Sequence, residues 1–310
     1  MKLVVCGTPE FAVPTLEAVL AAGHEVACVV TQPDRPAGRG MQRHACPVKL
    51  AALAHGLRIL QPERIRRNAE FQAELEAIAP DAILVVAYGR IIAEWMLALP
   101  PLGCINLHGS LLPKYRGAAP IQWAIANGES VTGVTTIRLD EGLDTGDMLL
   151  ARAVPIAPDE TAPDVFASLA TLGAPLVLDT LAGLRDGTVN AVPQDHALAS
   201  HAPILTRDDG RIDFARPAAA VYNRWRGFQP WPGAWTVLRG KKLIVHRMHP
   251  APVADLEPGT ILISGEELAV GCADGTSIFL RELQVEGKRR MPAAELLCGY
   301  QLRSGERLGT

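Results

Sequence analysis

Short, nearly unbroken apolar runs, separated by stretches with apolar residues at helical spacing, set the pattern of the first half of the chain. Residues 3–6 are apolar and rich in valine, and Gly7-Thr-Pro9 ends the run. From Phe11 to Ala22 the apolar residues recur at helical spacing, with Gly23 as a stop. A second strand is predicted from Glu25 to Thr31. Strand, helix and strand in that order imply a parallel, doubly wound sheet. The pattern continues with a helix over 48–55, a short strand at 58–60 and a helix over 68–78. The strand over 81–87 is apolar on both faces, which places it centrally. Residues 91–97 predict a short helix, 103–107 the end of a buried strand, 120–126 a helix, and 134–139 and 148–154 strands. A helix from Thr161 to Arg185 opens on the variant capping box Thr161-Ala-Pro-Asp164, and Pro175 should kink or divide it.

Periodicity then fades. Residues 186–206 read as a linker. Beyond it, strand candidates at 235–238, 242–246, 260–264, 268–271 and 277–285, several joined by glycine-containing turns, suggest a small β-barrel. The predicted division is a first domain over 1–185, a linker over 186–206 and a β-barrel domain over 207–310. Length makes two domains the natural expectation, and 48% hydrophobic residues secure a sizeable core, largely aliphatic because aromatics are only 5%.

Charge changes the picture only when it is divided. Residues 1–199 carry 15 Lys+Arg against 21 Asp+Glu, whereas 200–310 carry 15 against 12. The acidic first part and basic second part hint at a polyanion partner for the C-terminal domain. Six cysteines without a CxxC pair favour a reduced, cytoplasmic setting. The first strand is too short for a signal-peptide core, and no uninterrupted apolar run approaches a membrane span, so no membrane is expected. No obvious exposed apolar stripe is present, which favours a monomer.

The first strand–turn–helix unit invites a dinucleotide reading. A fingerprint of that kind needs three glycines at the turn, and Gly7-Thr-Pro-Glu-Phe-Ala12 supplies one and a proline. The sequence therefore argues against NAD or FAD. Chemistry concentrates instead in Cys104-Ile-Asn-Leu-His-Gly-Ser-Leu-Leu-Pro-Lys-Tyr-Arg-Gly-Ala-Ala-Pro120. Asn106 and His108 lie two apart, so their side chains leave the same face of the strand. An amide beside an imidazole at a strand's carboxyl end suits a carbonyl oxygen that becomes negative as a nucleophile adds. Equally, both could satisfy turn backbone. Downstream, Asp140-Glu-Gly-Leu-Asp-Thr-Gly-Asp147 gathers four carboxylates. It reads either as a hard-cation loop, although the EF-hand spacing does not fit, or as the source of a carboxylate that orients and charges His108. Spacing leaves Asp140, Asp144 and Asp147 open for that task. Gln32 to Pro47 is a long loop with Arg35, Arg39 and Arg43, suited to phosphate contact or to plain solvation. Arg116 reads equally as a phosphate contact and as a solvated charge.

Asn106-Leu-His108, Ser110-Leu-Leu-Pro113, Arg116-Gly-Ala-Ala-Pro120 and the acidic loop together resemble the signature of the folate-dependent formyltransferases. The start Gly7–Ala12 and the loop Thr31–Gly40 resemble the branch that acts on an aminoacylated tRNA. The resemblance covers nearly the whole chain. It implies a Rossmann-like doubly wound sheet followed by an OB-like β-barrel. It further implies transfer of the formyl group of 10-formyltetrahydrofolate to the α-amino group of initiator methionyl-tRNA, with no metal required. Carried over residue by residue, Asn106 and His108 would be oxyanion donors, and the Gly-Leu-Asp-Thr-Gly frame selects Asp144 as their partner. Ser110, Leu111, Leu112 and Pro113 would line the folate pocket. Arg39 and Arg43 would meet the acceptor end of the tRNA. In the β-domain Lys241 and Lys242, with Arg224, Arg226, Arg247, Lys288, Arg289 and Arg290, are the basic candidates for its backbone. The sequence departs from the family at Met41-Gln42, where two lysines are usual, and at Ile204, where a lysine is usual. A formyltransferase for a nucleotide-linked amino sugar or other small amine would share the catalytic trio, and a non-catalytic tRNA-binding protein is a third reading.

Overall fold

The computed structural model describes residues 1–37, 42–252 and 255–309. The chain forms two compact units. The first comprises Met1–Pro120, Val131–Pro155 and Val165–Pro203, and the second Ile121–Ser130, Ile156–Asp164 and Ile204–Thr310.

A seven-stranded sheet organises the first unit. Across it run Met148–Pro155, Val131–Arg138, Cys104–His108, Ala82–Val86, Lys2–Gly7, Glu25–Val30 and Ile59–Leu60. The last five strands in that order are mutually parallel, while Val131–Arg138 pairs antiparallel with both of its neighbours. Every residue of the central Ala82–Val86 strand is buried, as an apolar run with both faces covered requires. Chain order reverses between Lys2–Gly7 and Ala82–Val86. That switch point opens a crevice at the strands' carboxyl ends, where ligands of open α/β sheets bind. The Thr8 hydroxyl bridges it by donating to the Tyr88 carbonyl at 3.1 Å.

The helix Ala162–Asp186 covers one face of the sheet, with Leu107 packed beneath Gly173 and the buried Thr180 and Thr136 hydroxyls 2.8 Å apart. Asp164 accepts from the Thr161 backbone N–H at 2.9 Å and from its hydroxyl, completing the cap. This helix is long and apolar enough to cross a membrane, but half of its most apolar window is buried in the protein. Pro175 does not divide it. The proline lies on the exposed side, so the carbonyl that loses its helical partner faces water rather than the core.

Three other sequence expectations shift. The helix expected over 91–97 is confined to Glu94–Leu97. Within the loop 32–47, Arg35–Ala37 and Gln42–His44 form a short antiparallel ladder in which Pro36 pairs with Arg43. Arg39 lies outside the described residues. The stretch 186–206 is no free linker. Val192 bridges Met148, and His201–Ala202 forms a parallel ladder with Arg116–Gly117. Two-residue ladders are held by backbone hydrogen bonds and leave no hydrophobic period in the sequence.

In the second unit, an antiparallel sheet runs through Trp235–Leu238, Lys241–Ala251, Ser277–Val285, Glu267–Gly271 and Ile261–Ser264, with Met291–Pro292 added against Ser277–Val285. Its inner face packs Leu243, Val245, Ile278, Leu280 and Leu283 into one apolar core with the helices Ala218–Gly227 and Ala293–Tyr300. The C-terminal segment spans the two edge strands. Ile261 N–H donates to the Glu306 carbonyl at 2.8 Å, and Gly309 N–H donates to the Val237 carbonyl at 2.9 Å. The edges expected of an open sheet are thus covered by the chain's own tail.

Candidate active site

The Cys104–His108 strand carries the site because its carboxyl end stands beside the switch point. Cys104, Asn106 and His108 share one face. Cys104 belongs to the apolar core below, and burial pushes its thiol up to about 12, which leaves it a neutral packing group. The same face turns polar at its end, where Asn106 is 8% and His108 5% exposed. Asn106 is flanked by Val85 and Ile137 on the neighbouring strands, and His108 by Thr135. Among the described residues, none forms a hydrogen bond with the Asn106 side-chain amide. A buried amide without a protein partner on a strand this well anchored is an orphan donor directed at whatever enters the site.

His108 is oriented from an unexpected direction. Its Nε2 lies 2.9 Å from the Tyr115 carbonyl, so Nε2–H donates there and fixes the ring. Nδ1 stands 3.6 Å from Asp144 Oδ2, within ion-pair range but beyond a direct hydrogen bond. An imidazolium here has an acceptor near both nitrogens, and Nδ1 remains the one ring nitrogen not engaged by backbone. The sequence reading assigns a carboxylate to orient the ring; the Tyr115 carbonyl is an acceptor on the opposite nitrogen that the sequence reading did not name.

Of the three candidate aspartates, the fold brings only Asp144 to His108. Asp140 is spent inside its own loop, accepting from Gly142 N–H at 3.0 Å and the Thr145 hydroxyl at 2.7 Å. The Asp147 carbonyl accepts from Arg138 N–H at 2.9 Å. Asp144 has a left-handed backbone, φ 53°, and its Oδ2 accepts from Gly117 N–H at 2.9 Å. Gly117 is itself at φ 124°, with the Ala202 carbonyl oxygen 2.6 Å from where a Cβ would stand. Glycine is required there on both counts. Among the described residues, no group of His, Cys, Asp and Glu side chains is assembled to hold a metal ion.

The turn after the strand is built from within. Ser110 is fully buried, its hydroxyl donates to the Lys114 carbonyl at 2.7 Å, and its own carbonyl accepts from the Thr135 hydroxyl at 2.7 Å. Leu112 N–H donates to the same Thr135 oxygen at 3.2 Å. Ser110 and Leu112 therefore shape the turn, while Leu111 and Pro113 are half-buried along it. Arg116 is neither a phosphate contact nor a solvated charge. It is 5% exposed, and its Nε and Nη2 donate to Gln194 Oε1 at 3.0 and 2.7 Å. Thr135, Tyr115 and Gln194 were not singled out in the sequence, because each acts on its neighbours through a single hydroxyl, carbonyl or amide with no local motif.

Basic residues of the second unit divide into two kinds. Arg226 is 4% exposed and donates through Nη1 to the Glu160 carbonyl at 2.7 Å and through Nη2 to Asn223 Oδ1 at 2.7 Å. Arg224 stacks on Phe228 at 4.8 Å and on Trp123 at 5.7 Å. Burial lowers the pKa of both guanidiniums, and both are structural rather than free for a polyanion. Arg289 and Arg290 are ion-paired with Glu295 and Glu282. Lys241, Lys242 and Arg247 are exposed along one strand, with Lys242 Nζ 4.5 Å over the Trp235 ring. Ile204, where the family usually has lysine, is 74% exposed.

Residues 1–181 match the family described as formyl transferase, and residues 204–301 match the formyl transferase C-terminal domain. A methionyl-tRNA formyltransferase of Acidobacterium capsulatum is 64% identical over 310 residues, covering all of both chains. One of Koribacter versatilis is 59% identical, covering 100% of this chain and 99% of its own. Among solved structures, the N-formyltransferase of Helicobacter canadensis with folinic acid and dTDP-3-aminofucose superposes with a TM-score of 0.67 at 20% identity, covering 90% of this chain and 98% of its own. At that identity the likeness shows the fold alone.

Proposed function

The chain belongs to the formyl transferase family, and from that premise we propose that it transfers the formyl group of 10-formyltetrahydrofolate to the α-amino group of initiator methionyl-tRNA. The observation that carries the choice of acceptor is the full-length identity to methionyl-tRNA formyltransferases, since the fold is shared with sugar N-formyltransferases. The site residues fit the folate co-substrate. Asn106 offers a donor that no described residue engages, and the turn after the central strand, with Ala87 at φ 46° and Gly89 at φ 75°, exposes backbone at the switch point. When bound, the co-substrate supplies an activated formyl group.

In this reading the protein's own groups do three things. The Asn106 amide and the His108 Nδ1–H donate to the formyl oxygen as negative charge develops on it, and they are held ready by the strand so that no reorganisation is needed at that moment. Asp144 complements the imidazolium and stands within reach, through water, of the proton leaving the attacking amine. The turn over 110–115, clamped by Thr135, fixes the wall next to both donors. Lys241, Lys242 and Arg247, together with Arg39 and Arg43 of the arginine loop, are proposed as contacts to tRNA phosphates, positioning the acceptor without reading bases. An aminoacylated tRNA as acceptor puts the reaction in the cytoplasm, and one chain carrying both the site and the basic strand suffices as a monomer.

The test is formyl transfer to initiator methionyl-tRNA beside a panel of nucleotide-linked amino sugars. Transfer to the tRNA and not to the sugars is expected. Turnover only with a small amine would overturn the choice of acceptor.

A further inference from the structure

The stretch that follows the long helix holds Gln194, described so far only as the acceptor for Arg116. Gln194 is 5% exposed, and both ends of its amide are saturated. Nε2 donates to the Asp144 carbonyl at 2.8 Å and to the Gly146 carbonyl at 2.7 Å. Oε1 accepts both bonds from Arg116. Arg116 Nη1 in turn lies 3.1 Å from His196 Nδ1, and Arg116 N–H donates to the Ser200 carbonyl at 2.8 Å. Ser200 Oγ accepts from the N–H of Tyr115 at 2.9 Å, the same residue whose carbonyl stands against His108 Nε2. The segment 194–202 is thus tied to both halves of the catalytic geometry.

Asp144 needs such a tie. A non-glycine residue at φ 53° relaxes toward negative φ unless its surroundings prevent it. The two carbonyls that Gln194 grips are those of Asp144 and Gly146, so the first fixes the direction of the Asp144–Thr145 peptide, on the C-terminal side of the residue that carries the carboxylate. We propose that Gln194 is a positioning residue for the formyl transfer proposed above: its amide nitrogen locks the left-handed backbone of Asp144, keeping Oδ2 on Gly117 N–H and beside His108 Nδ1. The inference rests on that reading for its reaction, but not for its geometry.

A competing account is that Gln194 only satisfies the buried Arg116. Two substitutions separate the accounts. Gln194→Glu keeps an oxygen acceptor for the Arg116 fork but removes the donor to both carbonyls. A positioning role predicts that kcat falls by about 10²-fold, the scale of a 1 Å misplacement. KM for methionyl-tRNA should stay within threefold, and the melting temperature should stay near that of the unsubstituted protein. Wild-type kcat in Gln194→Glu overturns the proposal, because satisfying Arg116 would then be all that Gln194 does.

Gln194→Met removes both ends at nearly constant volume. Its readout needs no acceptor: the His108 ring nitrogen resonance, assigned by comparison with His108→Asn, should move toward its value in Asp144→Asn. A resonance unchanged from that of the unsubstituted protein overturns the proposal. If the unsubstituted enzyme formylates no methionyl-tRNA, the functional reading fails, and the resonance alone still decides the role of Gln194.

Discussion

Replacing Asn106 by alanine separates catalysis from stability more cleanly than any other change at the site. The amide is 8% exposed, held between Val85 and Ile137 on the flanking strands, and bonded to no described residue. Its removal therefore leaves no protein donor or acceptor without a partner, and the penalty that usually follows from truncating a buried polar side chain is absent. The unfolding free energy should change by less than about 1 kcal/mol. The transition state loses one of two preorganised donors, which is worth about 2.7–4 kcal/mol, or roughly 10²–10³ in kcat. KM for methionyl-tRNA should hardly move, since the bond is made to charge that exists only in the transition state. The assay is steady-state formyl transfer beside urea unfolding of the same preparation. A kcat within tenfold of the unsubstituted enzyme would refute the oxyanion role. A fall in kcat accompanied by several kcal/mol of lost stability would refute the claim that the amide is free.

Other predictions use different parts of the molecule. Gly117→Ala places a Cβ 2.6 Å from the Ala202 carbonyl at φ 124°, so stability should drop by about 1–3 kcal/mol in denaturant titration, with activity falling too. Removing Lys241 and Lys242 together should reduce the slope of log Kd for tRNA against log salt by about 1 per lost phosphate contact. Arg226→Met should leave that slope unchanged and cost roughly 2–3 kcal/mol of stability, because its partners are internal carbonyls. Glu306 sits on Arg239, whose side-chain hydrogen bonds hold the carboxyl below its ordinary value. A depressed folded pKa contributes stability above the unfolded value of about 4.3, which is lost as pH falls through the folded pKa. The protection factor of the Gly309 amide, bonded to Val237, should fall in that acid range and hold at neutral pH.

What the sequence made legible follows from how each feature is encoded. The central strand over 82–86 and the strand 277–285 were readable because burial on a sheet writes itself as an apolar run or an alternation. Asn106 and His108 were readable as a pair because a period of two puts them on one face. Asp144 was separated from Asp140 and Asp147 only by resemblance, because their difference is made by a backbone at φ 53° that no local composition announces. The burial of Arg116 and Arg226 is illegible in sequence for a common reason. A buried arginine bonded to amide and carbonyl oxygens carries no acidic neighbour in sequence, so nothing distinguishes it from a solvated charge until the partners 78 and 66 residues away are in place. The segment 186–206 reads as a linker in sequence because its short backbone ladders and single side-chain bonds, such as those of Gln194 and Ser200, leave no hydrophobic period.

That last point bears on why the site is stable at all. Tyr115, Asp144 and Gly117 all have positive φ, and all three converge on His108, the first through its carbonyl and the other two through the Asp144 carboxylate and the N–H it accepts. Left to themselves, the two non-glycine members would relax toward negative φ. Neither strand nor helix holds them. On the proposal above the restraint comes from the segment 194–202, which bonds to the acidic loop through Gln194 and to the turn through Ser200 and Ala202. The two candidate donors stand on the strand, while Tyr115 and Asp144, which face the His108 ring, stand on irregular turns bonded to a segment distant in sequence. Strain at these positions is tolerated because the same hydrogen bonds that oppose it also satisfy buried polar atoms.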